Sequence, residues 1–220
     1  MKNFFAILLT VIMIFTFSAC IGGSAPVNDE QDTAKQEQSV SDNEVLSPWM
    51  QTKTGKFYSQ FKDGKMYLEY ETTMEGMNMT VRSATNGDKN YSESLLDGTS
   101  TGVFIINGNI LYSIDHNSKI IIQMDLDKAP QQIEDTFIAE EDVDIASVET
   151  GTREINNKTY YTESWGMEGS MTTLCFDGDE LAYMIGAFDG EEVIMKIIDF
   201  STEVDDSLFE LPEGYQTMYF

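Results

Sequence analysis

The sequence predicts a mainly β fold with a little helix: a single, strongly curved antiparallel sheet or open half-barrel of about ten strands, with one or two short helices. From residue 55 onward, short runs of alternating apolar and polar side chains are separated by Gly, Asn and Asp, which is typical of antiparallel strands joined by tight turns. The runs are uniformly spaced, and strands do not alternate with helices as they do in parallel sheets.

The first half of the folded part is predicted as a series of strands and hairpins. A short apolar run at residues 57–61 ends at Asp63-Gly64, a dipeptide common in hairpin turns. The strands that follow are residues 65–73, 77–82, 90–96, 103–106, 110–114 and 119–124. Asn107-Gly108 is the strongest hairpin signal in the chain, so residues 103–124 are predicted to form a three-stranded meander.

The second half of the folded part begins where the strand pattern breaks, at residues 130–142. Ile133, Phe137 and Ile138 recur there at helical spacing among Glu and Gln, which predicts one short amphipathic helix. Further strands are expected at residues 144–154, 158–165, 170–176, 181–187 and 192–200. A brief helical turn is predicted at residues 205–209, before Leu211-Pro212.

The N-terminal residues have the pattern of an export signal. Lys2 precedes an almost unbroken apolar run from Phe4 to Phe17, and Ser18-Ala19 then lead to Cys20. This order resembles the lipobox of bacterial lipoproteins, although Phe17 stands where that family usually has Leu. The resemblance implies that the Cys20 thiol is diacylated and becomes the first residue of the mature chain. A spanning helix needs about 20 apolar residues, and an ordinary secretory signal would not need the cysteine.

The chain is therefore predicted to have three segments. Residues 1–19 are the signal peptide, and residues 20–47 are the lipidated cysteine with an acidic tether that is expected to be disordered. Residues 21–47 contain no aromatic side chain and cannot bury enough apolar surface to fold. Residues 48–220 form one β domain. The expected location is the cell membrane, with the domain lipid-anchored on the extracytoplasmic side.

The charge balance excludes one class of partner. The chain has 13 basic and 38 acidic residues, and loss of Lys2 with the signal peptide leaves a formal net charge of −26. Nucleic acid is not expected as a partner because phosphate binding needs clustered Lys and Arg. An anionic membrane surface would repel this domain, so the lipid anchor must hold it. Cys175, in the apolar run Leu174-Cys175-Phe176, is expected to be a small buried apolar side chain without a disulfide partner.

Two stretches resemble the LolA-like lipoprotein superfamily. The ending, Ile198-Asp199-Phe200 followed by residues 206–215 (DSLFELPEGY), resembles the C-terminal strand and turn of that group. Residues 106–112 (INGNILY), followed by Asp115 and Lys119, resemble its middle section. The resemblance implies an antiparallel half-barrel that wraps around a helix and leaves an apolar cleft. Its members include soluble lipoprotein carriers, mycobacterial lipid-binding lipoproteins and a sensor domain for envelope stress.

The predicted ligand-binding residues are apolar strand side chains rich in methionine, which is flexible and common on surfaces that accept varied apolar partners. They are Met66, Leu68, Tyr70, Met77, Met79, Val81, Tyr112, Met124, Met171, Met184 and Met195. With the resemblance, they are expected to line a cleft for a lipid or acyl chain. The alternative is ordinary core packing on the inner face of a curved sheet.

No catalytic residue, cofactor or metal is predicted, and the chain is not expected to be an enzyme. It has no G-x-S-x-G motif, Walker loop or zinc spacing, and His116, its one histidine, is expected in an exposed turn. Acidic groups at Asp125/Asp127, at residues 140–144 and at Asp177/Asp179/Glu180 could ligate calcium, but none has EF-hand spacing. The expected function is lipid binding. The alternatives are a non-enzymatic envelope sensor or protein-interaction module and, less favoured, a cation-buffering surface lipoprotein.

Overall fold

A computed structural model describes residues 51–61, 63–74, 76–128, 148–167, 170–188 and 190–220. The signal peptide at residues 1–19, Cys20, the tether at residues 21–47, the helix predicted at residues 130–142 and the acidic group at residues 140–144 lie outside this part of the chain. The described residues form one open sheet and one short α-helix, α1 (Lys53–Tyr58), which continues into a 3-10 helix at Ser59–Phe61. The mainly β prediction is thus confirmed. Within these ranges no helix has the length and apolar character needed to cross a membrane.

The sheet contains twelve strands arranged as two meanders. The strands are β1 (Lys65–Met74), β2 (Met77–Asn86), β3 (Lys89–Leu96), β4 (Thr99–Asn107), β5 (Ile110–Asp115), β6 (Ile120–Asp125), β7 (Glu149–Ile155), β8 (Lys158–Met167), β9 (Ser170–Asp177), β10 (Glu180–Phe188), β11 (Glu191–Ser201) and β12 (Gln216–Tyr219). Their order across the sheet is β12-β6-β5-β4-β3-β2-β1-β11-β10-β9-β8-β7. The meanders β1–β6 and β7–β11 therefore meet where β1 pairs with β11, antiparallel.

The sheet has twelve strands rather than about ten. The prediction was also wrong at two places in the strand pattern, once by placing a strand where there is a helix and once by omitting a strand. Residues 57–61, predicted as a strand, are the end of α1 and its 3-10 continuation. The Thr52 side chain caps this helix by accepting a hydrogen bond from the Gly55 backbone N–H at 2.8 Å, a contact that favours the helix over a strand. Strand β12 was not predicted, because it pairs in parallel with β6, a strand almost a hundred residues earlier.

Three other local predictions are confirmed. Residues 103–124 form the expected meander as β4, β5 and β6. The β4–β5 turn contains Gly108, whose φ of 56° lies in the left-handed region that glycine adopts without strain. The helical turn expected near residues 205–209 is a 3-10 helix at Asp206–Phe209, capped by the Asp205 side chain.

The buried side of the sheet changes along the first meander. We call face A the side that carries Leu68 and Tyr70 of β1, and face B the opposite side. Leu68 and Tyr70 are almost completely buried on face A. Pairing places Leu68, Ser83, Ser92 and Phe104 in one row on face A. Because side chains alternate along a strand, the buried Ile105 beside Phe104 lies on face B.

Three apolar clusters stabilise the two faces. The first lies on face A, where Phe57 of α1 packs with residues of β1, β2 and β9–β11. The second lies on face B and consists of Val103, Ile105, Ile114 and Ile121, with Tyr215 packed against it. The third lies on face B of β8–β10 and consists of Tyr160, Cys175, Tyr183 and Ile185. Cys175 is thus a buried free cysteine, as predicted, and burial raises its pKa to about 11.

The end of the sheet that contains β7 is strongly twisted. Three strands separate β7 from β11, so a flat sheet would hold these two strands about 19 Å apart. Nevertheless, the Arg153 guanidinium on β7 donates two hydrogen bonds, of 2.6 and 3.0 Å, to the Glu192 carboxylate on β11. Both residues lie on face B, as the strand pairing requires. The right-handed twist of β-strands therefore brings two distant strands together over the third cluster.

Candidate ligand-binding face

The structure brings several of the predicted ligand-binding residues together on face A. Tyr70 pairs directly with Val81 across β1 and β2, and Met184 pairs with Met195 across β10 and β11. The residues that meet there are Leu68, Tyr70, Met79, Val81, Met184 and Met195. All are buried, in one cluster with Phe57, Leu174 and Phe176. We call the strand residues of this cluster, without Phe57, the packed stretch of face A.

The aromatic side chains of α1 and its 3-10 continuation fill the space above the packed stretch. The Phe57 ring lies 4.9 Å from the Phe200 ring between centroids, and the Phe61 ring lies 5.2 Å from it. The Tyr58 ring meets Trp165 edge-on at 6.5 Å. Aromatic pairs at these separations stabilise a core beyond the area that they bury. The packed stretch is therefore covered by the chain's own helix.

One buried carboxylate, Glu163 of β8, fixes the first turn of α1 to the sheet. Its Oε1 accepts a hydrogen bond from the Lys53 backbone N–H at 2.9 Å, and its Oε2 accepts one from the Thr54 backbone N–H at 2.7 Å. Tyr161 Oη also donates to Oε1, at 3.2 Å. Glu163 is only 2% exposed. It therefore satisfies N–H groups that the first turn of a helix leaves without intrahelical partners.

The hydrogen bonds to Glu163 decide its ionisation. Burial raises the pKa of this carboxyl, but the hydrogen bonds from Thr54, Lys53 and Tyr161 stabilise the charged form and outweigh burial, so the pKa lies below its usual value. The carboxylate is therefore ionised at neutral pH. Lys53 reinforces the same attachment, because its Nζ lies 2.6 Å from Asp179 Oδ1. The Asp179 side chain is 99% exposed, so this second contact contributes little.

The other predicted ligand-binding residues do not join the packed stretch. Met66 is buried and Met124 half-buried, and both lie in one cross-strand row on face A. Met77, at the start of β2, is 38% exposed. Tyr112 lies on face B against the second cluster, and Met171 lies on face B of β9 with 46% exposure. The predicted residues thus occupy both faces of the sheet.

Sequence reasoning named only Met124 of a second apolar stretch of face A, on β4–β6. It consists of Phe104, Ile106, Leu111, Ile122 and Met124, which are half-buried. Cross-strand pairing aligns them in two rows, one through Phe104, Ser113 and Ile122 and one through Ile106, Leu111 and Met124. None of them belongs to the three clusters that the described residues form. We call these residues the open stretch of face A.

A sequence signal for the open stretch exists in retrospect. Strands β4 to β6 contain the runs Ile105-Ile106, Ile110-Leu111-Tyr112 and Ile120-Ile121-Ile122, in which consecutive side chains are apolar. Such runs are typical of strands with apolar side chains on both faces. Face B of these strands carries the second cluster, and Ile106, Leu111 and Ile122 of these runs lie on the opposite face, in the open stretch.

Small side chains connect the open stretch to the packed stretch. Ser83 of β2 and Ser94 of β3 are buried on face A, and Gly102 of β4 pairs with Ser94. Ser92, which pairs with Ser83, is half-buried, and its Oγ has no hydrogen-bond partner among the described residues. Because these side chains are short, no large side chain of β2 or β3 separates the two stretches along these rows.

The described residues show no cluster of metal ligands. No three side chains of His, Cys, Asp or Glu in these ranges come close enough to hold a metal ion. The acidic turns are ion-paired instead: Asp125 with Lys128 and Asp177 with Lys158. His116 lies in an exposed turn, as predicted, and its Nδ1 is 2.9 Å from the Tyr215 hydroxyl.

The similarity of this chain to known proteins is structural and distant. No family model and no curated protein matches the sequence. Among solved structures, the chain is similar to an uncharacterized conserved protein from Thermus thermophilus, with 11% identity, a TM-score of 0.49 and coverage of 77% of this chain and 100% of that one. It is also similar to PNGF-II, with 14% identity, a TM-score of 0.33 and coverage of 71% of this chain and 31% of that one. At these values neither similarity bears on function.

Proposed function

We propose that this chain is an exported lipoprotein, anchored through Cys20 on the extracytoplasmic side of the cell membrane, whose LolA-like β domain binds a lipid or acyl chain. The N-terminal lipobox pattern supports the anchor. The helix seated on face A supports a half-barrel that wraps around a helix. The ligand lies on face A, which carries most of the predicted ligand-binding residues, including Met79, Met184 and Met195.

The open stretch of face A is the observation that carries this proposal. Apolar side chains such as Ile106, Leu111 and Met124 are only half-buried although they lie close to a filled core. Covering such surface is worth roughly 25 cal/mol per Å², so an acyl chain laid along the two rows gains free energy from each side chain that it covers. Methionine suits this role because its side chain adapts to apolar ligands of different shape.

Titration of the detergent-free lipoprotein with a dansyl-labelled fatty acid tests the ligand. We expect saturable binding to the natural chain and a loss of at least tenfold in affinity for Met124→Asp, because a charge would then lie under the acyl chain. Met171→Asp is the matched control, since it makes the same change on face B and should leave affinity unchanged. A folded natural chain that takes up no fatty acid, native lipid extract or phospholipid would refute the proposal.

Labelling in living cells tests the anchor separately. We expect an alkyne analogue of palmitate to label the natural chain, and Cys20→Ala to abolish both the label and the membrane association. Because Cys175 is buried and its pKa is raised to about 11, it does not compete for the label. Label retained on Cys20→Ala would contradict anchoring at Cys20.

A second candidate function is protein interaction, as an envelope sensor or binding module. Ile194 and Ile198 of β11 are exposed, as is Met171 on β9. Met171 and Ile194 both lie on face B, and exposed apolar side chains that share one face mark a candidate interaction surface. A photo-crosslinking amino acid at position 194, used in intact cells, should then capture one specific envelope protein, whereas position 217 on β12 should capture none.

A further inference from the structure

Helix α1 depends on the sheet for its existence. It has six residues and includes Gly55, and an isolated helix of this length is not stable in water. Glycine lowers helix propensity further. The helix therefore forms because Phe57 packs on face A and because Glu163 holds the N–H groups of Lys53 and Thr54.

We propose that α1 is a displaceable occupant of the packed stretch of face A, and that Glu163 is the positioning residue that latches it there. This inference rests on the proposed function and extends it. The acyl ligand enters at the open stretch and continues across face A by taking the place of Phe57 and Phe61. In the absence of ligand, the Phe57 and Phe61 side chains therefore occupy the surface that the acyl chain covers when it binds.

Replacing one apolar occupant by another explains how a filled face can still bind. An empty cleft over Leu68, Tyr70 and Val81 would expose or leave unpacked a large apolar surface, which is strongly destabilising. When an acyl chain replaces the Phe57 and Phe61 rings, that surface stays covered throughout. The buried polar contacts that are lost without replacement are the hydrogen bonds from Lys53 and Thr54 to Glu163. Glu163 therefore sets how readily the exchange occurs.

The geometry between the two stretches is compatible with this exchange. Ser83 and Ser92 lie between Leu68 and Phe104 in one cross-strand row, and neither presents a large side chain that a ligand must displace. The attachments of α1 and its 3-10 continuation to the sheet each use at least one side chain. They include the ring contacts to Phe200 and Trp165, the Glu163 hydrogen bonds and the contacts of the Lys53 ammonium with Gly178 and Asp179. The helix can therefore leave without breaking the strand pairing.

The test measures fatty-acid affinity and amide hydrogen exchange on the full mature lipoprotein. Dansyl-labelled fatty acid is titrated into the natural chain and into Glu163→Gln, which keeps the side-chain shape and removes the charge. We expect Glu163→Gln to bind about tenfold more tightly, because the binding-competent state is more populated. A purely structural role for Glu163 would weaken binding. Asp179→Asn, which breaks the exposed Lys53 ion pair alone, should leave affinity unchanged.

Hydrogen exchange supplies the readout at the helix itself. Fatty acid should speed exchange of the amides of Lys53–Tyr58 in the natural chain while β1 and β10 stay protected. Thr52→Ala, which removes the helix cap without touching the sheet, should tighten binding in the same direction if Glu163→Gln does not fold.

The outcomes separate this inference from the proposed function. Saturable binding without a change in hydrogen exchange of α1 would contradict the proposed role of Glu163 and keep the proposal of lipid binding. Weaker binding by both Glu163→Gln and Thr52→Ala would have the same meaning. Absence of binding by any folded form overturns the proposed function. In that case faster α1 exchange in ligand-free Glu163→Gln, with β1 still protected, would still support Glu163 as the latch, and unchanged exchange would overturn it as well.

Discussion

Strands β1–β2 and strands β4–β6 belong to the same meander, yet they bury opposite faces. Leu68 and Val81 are buried on face A, whereas Ile105 and Ile121 are buried on face B. The difference follows the segment that lies over each region. Helix α1, which precedes the meander, covers face A of β1 and β2, and Tyr215, which follows β11, packs on face B of β4–β6. In these two regions the buried face is the one on which a covering segment packs.

The change of face takes place at β3. Ser94 and Leu95 are consecutive residues and both are buried, on opposite faces. The pairing of β3 with β4 shifts register between these two residues, which indicates a β-bulge. Bulges change the direction of side chains and increase local twist. The core therefore crosses the sheet at β3, and the bulge lies beside this crossing.

Two neighbouring isoleucines of β4 give the largest expected effect that tests this comparison. Ile105 is 1% exposed on face B, and Ile106 is half-buried on the open stretch of face A. We expect Ile105→Ala to lower the free energy of unfolding by about 2–5 kcal/mol, and Ile106→Ala to lower it by less than about 1.5 kcal/mol. Urea denaturation of both variants measures the difference. Equal losses would show that both faces of β4 are core, and the open stretch would not be a binding surface.

Strands and turns could be predicted because their signals are local. Asn107-Gly108 needs no knowledge of the rest of the chain, and the alternation in β1 identifies Leu68 and Tyr70 as one face. Which face is buried cannot be read from alternation. The sequence prediction for that reason groups Tyr112 with Leu68, although pairing through β3 and β4 places Tyr112 on face B.

The role of Glu163 could not be predicted for a related reason. In the run Tyr161-Thr162-Glu163 a carboxylate at an alternating position indicates a solvent-facing strand side chain. Its partners are backbone N–H groups of residues more than a hundred positions earlier, and side-chain chemistry alone gives no sign of them. Strand β12 could not be predicted for the same reason, because its partner β6 lies almost a hundred residues earlier in the chain.

A smaller effect is expected when the attachment of α1 to face A is weakened. We expect Glu163→Gln to lower the free energy of unfolding at pH 7 by about 1.5–3 kcal/mol, since hydrogen bonds to a charged group are lost. The pKa of Glu163 lies below its usual value in the fold. Its contribution is therefore complete above the unfolded pKa of about 4.3, and it disappears as pH falls through the folded pKa.

Urea unfolding at a series of pH values measures this dependence. The stability difference between the natural chain and Glu163→Gln should be constant from pH 7 to about pH 5 and should shrink below about pH 4. Comparison of the two chains cancels the other carboxylates, whose protonation also relieves the repulsion of a highly acidic chain. A difference that stays the same down to about pH 3 would mean that the carboxylate is not the group that holds Lys53 and Thr54.

The smallest effect is expected at the Arg153–Glu192 pair, which spans the twisted end of the sheet. In this region the third cluster buries face B. Among the described residues, no segment outside the sheet packs on that cluster. Both side chains of the pair are partly exposed, so we expect a coupling energy of at most about 1 kcal/mol in a double-mutant cycle of Arg153→Gln and Glu192→Gln, falling with added salt. The Lys196–Glu71 pair, at 3.9 Å and more exposed, is the control and should show no coupling. A coupling well above about 1 kcal/mol would mean that the ion pair, rather than the packing of Tyr160, Cys175, Tyr183 and Ile185, holds β7 close to β11.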